Sequence, residues 1–198
     1  GRSDFRYLID YLVNSLQDLG VDVTLNQKAD PQKVKDFNPD AVVVATGAVP
    51  VVPPIPGADK PHVMQAWEVL KGDLDLGDEI AVIGGGAVGC ETALFLAHAG
   101  TIDADTLRFL LVHRVEDPES LYQLSTRGIK RVTLIEQQRR VAEDVGRSNR
   151  WVLYHDLLRY GVDLRTSTRV ISIEDDGVVV ETDNTVDKIK ADTVVLAV

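Results

Sequence analysis

The sequence predicts an α/β fold with a doubly wound parallel sheet and a small antiparallel β insert. Three observations predict it. Apolar strand-like runs alternate with helical periodicities along most of the 198 residues. A glycine-rich turn, Gly84-Gly85-Gly86-Ala87-Val88-Gly89, stands between one such run and one such helix. An alternating apolar–polar stretch around Asp176-Gly177 carries a hairpin signal just before a last apolar run.

The elements follow in order. Leu8, Ile9, Leu12, Val13, Leu16 and Leu19 recur at helical spacing over Arg6–Gly20, with Gly20 as the stop. Val21–Leu25 reads as a strand, and Asp30-Pro31 as the cap and first position of a short helix. Ala41–Gly47, AVVVATG, reads as a fully buried parallel strand with a glycine turn at its carboxyl end. The proline-rich stretch Pro50–Pro61 cannot be regular helix and reads as a linker or crossover. A helical turn is expected over Ala66–Lys71, a strand over Glu79–Ile83 and a helix over Ala87–Ala99. Arg131–Glu136 is the next strand. The helix over Ser148–Tyr160 has Trp151, Val152, Leu157 and Leu158 as its apolar positions and Gly161 as its stop. The strand VDLRT, the Asp176-Gly177 hairpin and a final buried strand over Ala191–Val198 complete the pattern.

Composition narrows the function classes. The chain is 44% hydrophobic and 26% charged, as expected for a soluble globular protein, and a cytoplasmic location is expected. A formal charge of −10 gives no attraction for phosphate backbones or anionic lipid, so neither nucleic acid nor membrane is expected as a partner. No run of 18 apolar residues suits a membrane span, and the first residues show no charged-then-apolar leader. Cys90 is the single cysteine, so no internal disulfide, CxxC pair or cysteine-held iron–sulfur cluster can form within these residues. The histidines, His62, His98, His113 and His155, show no metal-ligand spacing, so no metal site is expected.

Gly84, Gly86 and Gly89 satisfy G-x-G-x-x-G after a strand and before a helix, the context a Rossmann-like dinucleotide site needs. Gly84 permits the tight turn, Gly86 lets a pyrophosphate approach the backbone, and Gly89 lets helix and strand pack closely. The helix start then offers N–H groups and a partial positive charge to the phosphates. Without a ligand the same residues would make only a tight bend. The mechanism also needs an acid at the end of the next strand, and Glu136 is there. It follows Gly89 by 47 positions rather than the usual ~20. A helical insertion over 101–130 accounts for the excess: Leu107, Leu110 and Leu111 share a face, Asp117–Ser120 starts a helix and Gly128 stops it. A carboxylate at Glu136 accepts from a ribose 2′-hydroxyl and repels a 2′-phosphate, which favours NAD(H) over NADP(H). Arg139 and Arg140 argue the other way, or form a solvated basic turn.

The ordered set VVVATGAVPVVPPIPG, VIGGGAVGCETA, RVTLIE and ADTVVLAV resembles the pyridine nucleotide-disulfide oxidoreductase-like flavoproteins, which have two dinucleotide-binding domains. The insertion and the proline-rich crossover further resemble the C-terminal FAD/NAD(P)-binding region of the NADH:flavin oxidoreductases. That group includes 2,4-dienoyl-CoA reductase, 2-enoate reductase and trimethylamine dehydrogenase. The resemblance implies a partial FAD-domain segment over 1–76 and an NAD(P)H-binding domain over 77–198. It implies that Thr46 and Gly47 form the turn that approaches the flavin nucleotide. Glu91 matches a position near the nicotinamide, with a first-turn acid favoured by the helix dipole as the equal alternative. The first FAD glycine turn, the cysteine cluster and the barrel are not in these residues. FAD, FMN and an iron–sulfur cluster are therefore expected only in an intact enzyme, with the rest of that flavoenzyme as partner.

The expected function is a nucleotide-binding fragment of a flavin-dependent NADH oxidoreductase. In the intact enzyme it would position NAD(P)H for hydride transfer to FAD, for reduction of an enoate or dienoyl-CoA type substrate. The expected cofactor-binding residues are Gly84, Gly85, Gly86, Ala87, Val88, Gly89, Glu91, Glu136, Thr46 and Gly47, with no catalytic residue in the chain and Cys90 in a packing role. Two alternatives stand beside this: a structural ADP-binding domain of the trimethylamine dehydrogenase type, and a non-enzymatic NADH-sensing module.

Overall fold

The structure is a computed structural model that describes residues 5–72 and 74–198. The expectation about a leader falls partly on residues 1–4, outside the described residues. The chain divides into two compact units, residues 1–47 and 48–198.

Among the described residues the first unit holds two helices, α1 (Phe5–Asp18) and α2 (Pro31–Phe37). α2 starts as its sequence predicts: Asp30 accepts from the Lys33 N–H at 2.9 Å, and Pro31 takes the first helical position. Neither apolar run of this unit forms a strand, which corrects two expectations. Val21–Leu25 and Ala41–Gly47 have no ladder partner, and Val43 and Val44 are 89% and 80% exposed. Valine supplies a preference for a pleated surface, but a strand exists only once a neighbour completes its hydrogen bonds.

The second unit runs β1 (Val63–Gln65), α3 (Ala66–Val69), β2 (Glu79–Ile83), α4 (Ala87–Ala97), α5 (Ala104–Val112), α6 (Pro118–Thr126), β3 (Arg131–Ile135), α7 (Arg147–Arg159), β4 (Asp163–Arg165), β5 (Thr168–Glu174), β6 (Gly177–Thr182), β7 (Thr185–Lys190) and β8 (Thr193–Leu196). Five strands form a parallel sheet in the order β1-β8-β2-β3-β4, and β5-β6-β7 form the antiparallel insert. β1 lies between the expected linker and the expected helical turn, where no element was expected; three residues carry too little pattern to stand out.

Strand alternation builds two cores on opposite faces of the parallel sheet. Ile80 and Val82 of β2, with Val132 and Leu134 of β3, pack on Ala93, Leu96 and Ala97 of α4 and Leu157 of α7. Ala81 and Ile83, with Ile135, Val194 and Leu196, pack on Ile173, Val178 and Val180 of the antiparallel sheet. One face is thus covered by helices and the other by the insert.

Three local expectations change. On α7 only Leu157 is buried, with Leu153 and Tyr160 packed beside it, while Trp151 is 62% exposed. The i−4 and i+3 neighbours of Leu157 therefore set the buried face, and the bulkiest apolar residue lies off it. Over 101–130, α5 and α6 are capped by Asp103 and Asp117, yet Leu111 turns away from the half-buried Leu107 and Leu110. The hairpin turn is Asp175-Asp176, since Glu174 pairs with Gly177. Gly177 serves the next strand instead: a Cβ there would lie 2.2 Å from the Ile189 carbonyl oxygen. The turn with two left-handed residues is Asp183-Asn184, between β6 and β7 (φ +50° and +62°).

Among the described residues no helix is long and apolar enough to cross a membrane, and no cluster of His, Cys, Asp or Glu could hold a metal ion.

Candidate dinucleotide site

At the carboxyl ends of β2 and β8 the chain opens a cleft of about 430 Å³. Its floor is the glycine turn Gly84–Val88, and its walls include Trp67 and Gln65, Glu136, Asp144 and Ala197. Its volume lies in the range of small-molecule sites, and its place is the one where open α/β sheets bind ligands.

Local sequence dictates the floor. Gly84 has a φ of +104° immediately after β2, a backbone conformation closed to ordinary side chains. Gly89 lies on α4 directly over the turn, where a Cβ would stand 1.7 Å from the Gly84 carbonyl oxygen. The predicted roles of these two glycines, turning and close helix–strand packing, are therefore visible in the structure. Among the described residues the N–H groups of Gly86 and Val88 meet no protein acceptor. A bare backbone turn with open N–H groups at a helix start suits the phosphates of a nucleotide.

Two carboxylates border this floor. Glu136, just past β3, accepts from the Gly85 N–H and from the Gln138 N–H, each at 2.6 Å. It thus stands against the glycine turn although 47 positions separate it from Gly89. Asp144 accepts from the Ala87 N–H through both oxygens at 3.0 Å. Sequence reasoning missed Asp144, which sits in an aperiodic loop that carries no pattern. It also missed Gln65, which precedes the expected helical turn, and Trp67, which lies within it.

The remaining expected residues fall elsewhere. Glu91 is exposed and lies past the first turn of α4, outside the cleft lining. Thr46 and Gly47 end the first unit, both exposed. Arg139 and Arg140 line a separate cavity with Arg147, Trp151 and Tyr154. Cys90 is fully buried under the turn, its thiol facing the Gly85 carbonyl oxygen at 3.4 Å. Burial, then the negative charge of Asp144, pushes that thiol up to about 12, so it stays protonated and packs rather than reacts.

Fold and cleft together define an α/β nucleotide-binding domain of the kind found in oxidoreductases. The profile of the pyridine nucleotide-disulphide oxidoreductase family matches residues 9–198, and the chain belongs to that family. It is 44% identical to the metal reductase of Desulforamulus reducens over 202 residues, covering 100% of this chain and 30% of that protein. It is 31% identical to the cinnamate reductase of Clostridium sporogenes over 201 residues, covering 100% of this chain and 25% of that protein. Among solved structures it resembles a 2-naphthoyl-CoA reductase in complex with 2-naphthoyl-CoA, with a TM-score of 0.69 and 27% identity. That match covers 98% of this chain and 25% of the other. The chain thus spans under a third of the relatives it matches.

Proposed function

We propose that the cleft over Gly84–Gly89 binds NADH as part of a flavin-dependent NADH oxidoreductase of the NADH:flavin oxidoreductase group. In this reading residues 77–198 are the NAD(P)H-binding domain and residues 1–76 a segment of the FAD domain, with Thr46 and Gly47 facing the flavin nucleotide. The observation that carries the proposal is the meeting of the glycine turn with Glu136 at one sheet edge.

NADH, when bound, would supply a hydride for the flavin of the longer enzyme. The chain's own part is to bind and orient. The N–H groups of Gly86 and Val88 would take the pyrophosphate, together with the Ala87 N–H between them, which Asp144 holds here. The Glu136 carboxylate, held by two backbone N–H groups, would accept from a ribose 2′-hydroxyl and repel a 2′-phosphate. Gln65 and Trp67 close the side of the cleft away from Glu136. Glu91, one helical turn further on, is assigned to the nicotinamide end by the family resemblance alone. Relatives named for cinnamate and naphthoyl-CoA reduction support an unsaturated acid or acyl-CoA as the final substrate.

Calorimetric titration with NADH, NADPH and ADP, on the wild type and on E136A, tests this reading. NADH should bind more tightly than NADPH by about tenfold or more, and E136A should erase that preference. Equal affinity for NADH and ADP would favour a structural nucleotide site, which the same phosphate-reading turn could serve. No nucleotide binding would leave Gly84–Gly89 as a bend alone.

A further inference from the structure

We propose that Asp144 is a built-in stand-in for phosphate, and that a dinucleotide enters the cleft by displacing it. The inference rests on the nucleotide-binding reading above and concerns how access to that site is controlled. An ordinary helix is capped by the residue that precedes its first turn. Here that residue is Gly86, which has no side chain to offer. The cap comes instead from a loop 57 positions away, whose carboxylate takes the Ala87 N–H with both oxygens. The acceptor that satisfies the helix start is therefore detachable.

The loop is built to hold that carboxylate in place. The Ala142 N–H donates to the Gly85 carbonyl at 2.6 Å, with Ala142 itself left-handed at φ +57°. Arg150 Nη2 donates to the Glu143 carbonyl at 2.5 Å and the Val145 carbonyl at 3.1 Å, on both sides of Asp144. The carboxylate lies 3.2 Å from where a Gly86 Cβ would stand, on the surface a pyrophosphate must approach. Pyrophosphate and carboxylate carry the same sign of charge and compete for the same N–H, so both cannot hold it. Any ligand that uses this N–H through phosphate must first move Asp144. Adenosine, which has no phosphate, need not.

Titration of wild type and D144N with NADH, ADP and adenosine tests the proposal. D144N keeps the shape of the cap and removes its charge. NADH and ADP should both tighten by roughly tenfold, the order of a charge at a helix terminus, with adenosine unchanged. Nucleotide binding seen only in D144N would support it too. Unchanged or weaker NADH and ADP binding in D144N, with the wild type binding normally, would overturn the displacement while leaving the nucleotide site intact. No binding by either protein would overturn both. Should D144N not fold, R150Q carries the test by freeing the loop outside the cleft lining: tighter NADH binding supports displacement and unchanged binding overturns it.

Discussion

Ala41–Gly47 and Thr193–Leu196 are written in nearly the same residues, and they have opposite fates. The second is a strand with every residue buried, paired on both sides by β1 and β2. The first is unpaired, and its valines face solvent. The difference teaches that a valine run specifies a strand only through its neighbours. β8 has partners and a core on each face, whereas AVVVATG has none of these within the described residues of its unit.

Substitutions can sharpen or break this contrast, beginning with its largest expected effect. G89A forces a Cβ against the Gly84 carbonyl oxygen and should cost about 4 kcal/mol, read as a fall in the denaturant midpoint of the second unit. G47A, at φ +75° with nothing near its Cβ, should cost about 1 kcal/mol from backbone strain alone. Comparable losses at the two sites would mean that Ala41–Gly47 is packed after all.

Truncation of core and exposed side chains comes next. L134A, at a fully buried position of β3, should lose about 3 kcal/mol, while V43A should stay within about 0.5 kcal/mol of wild type. Thermal melts of the two variants check this.

The smallest effect is electrostatic and tests a paired strand end. Glu79 and Arg131 are register partners on β2 and β3, and the Arg131 guanidinium holds the Glu79 carboxyl below its ordinary 4.5. A depressed carboxylate contributes stability above that value and loses it as pH falls through its lower folded value. E79Q should therefore be slightly less stable than wild type near neutrality and equal to it at acid pH, by urea unfolding across that range. A constant difference at all pH values would mean that this surface pair contributes nothing through charge.

The parallel sheet, the glycine turn and Glu136 were legible because each rests on a local rule. Buried strands need unbroken apolar runs, tight turns need glycine, and the acid must end a strand. The starts of α5 and α6 were readable too, because Asp103 and Asp117 mark helix starts whatever surrounds them. What stayed hidden depends on tertiary neighbours. β1 is defined by its ladder with β8 more than by its own three residues. The exposure of Trp151 follows from which face Leu157 turns inward. Asp144 lies in an aperiodic loop, and only the folded chain brings it to the Ala87 N–H.

The edges of the sheets carry one further consequence. β1 and β4 are three residues long, the longer edge strand β5 carries Arg169, Glu174 and a register shift between Val170 and Ser172, and β7 carries Asp187, Lys188 and Lys190, so each sheet edge is guarded. Ala41–Thr46 has no such guard: it is uncharged, rich in valine and exposed. Aggregation of this chain at high concentration should accordingly nucleate at Val42–Val44, by one copy pairing with the same run of another.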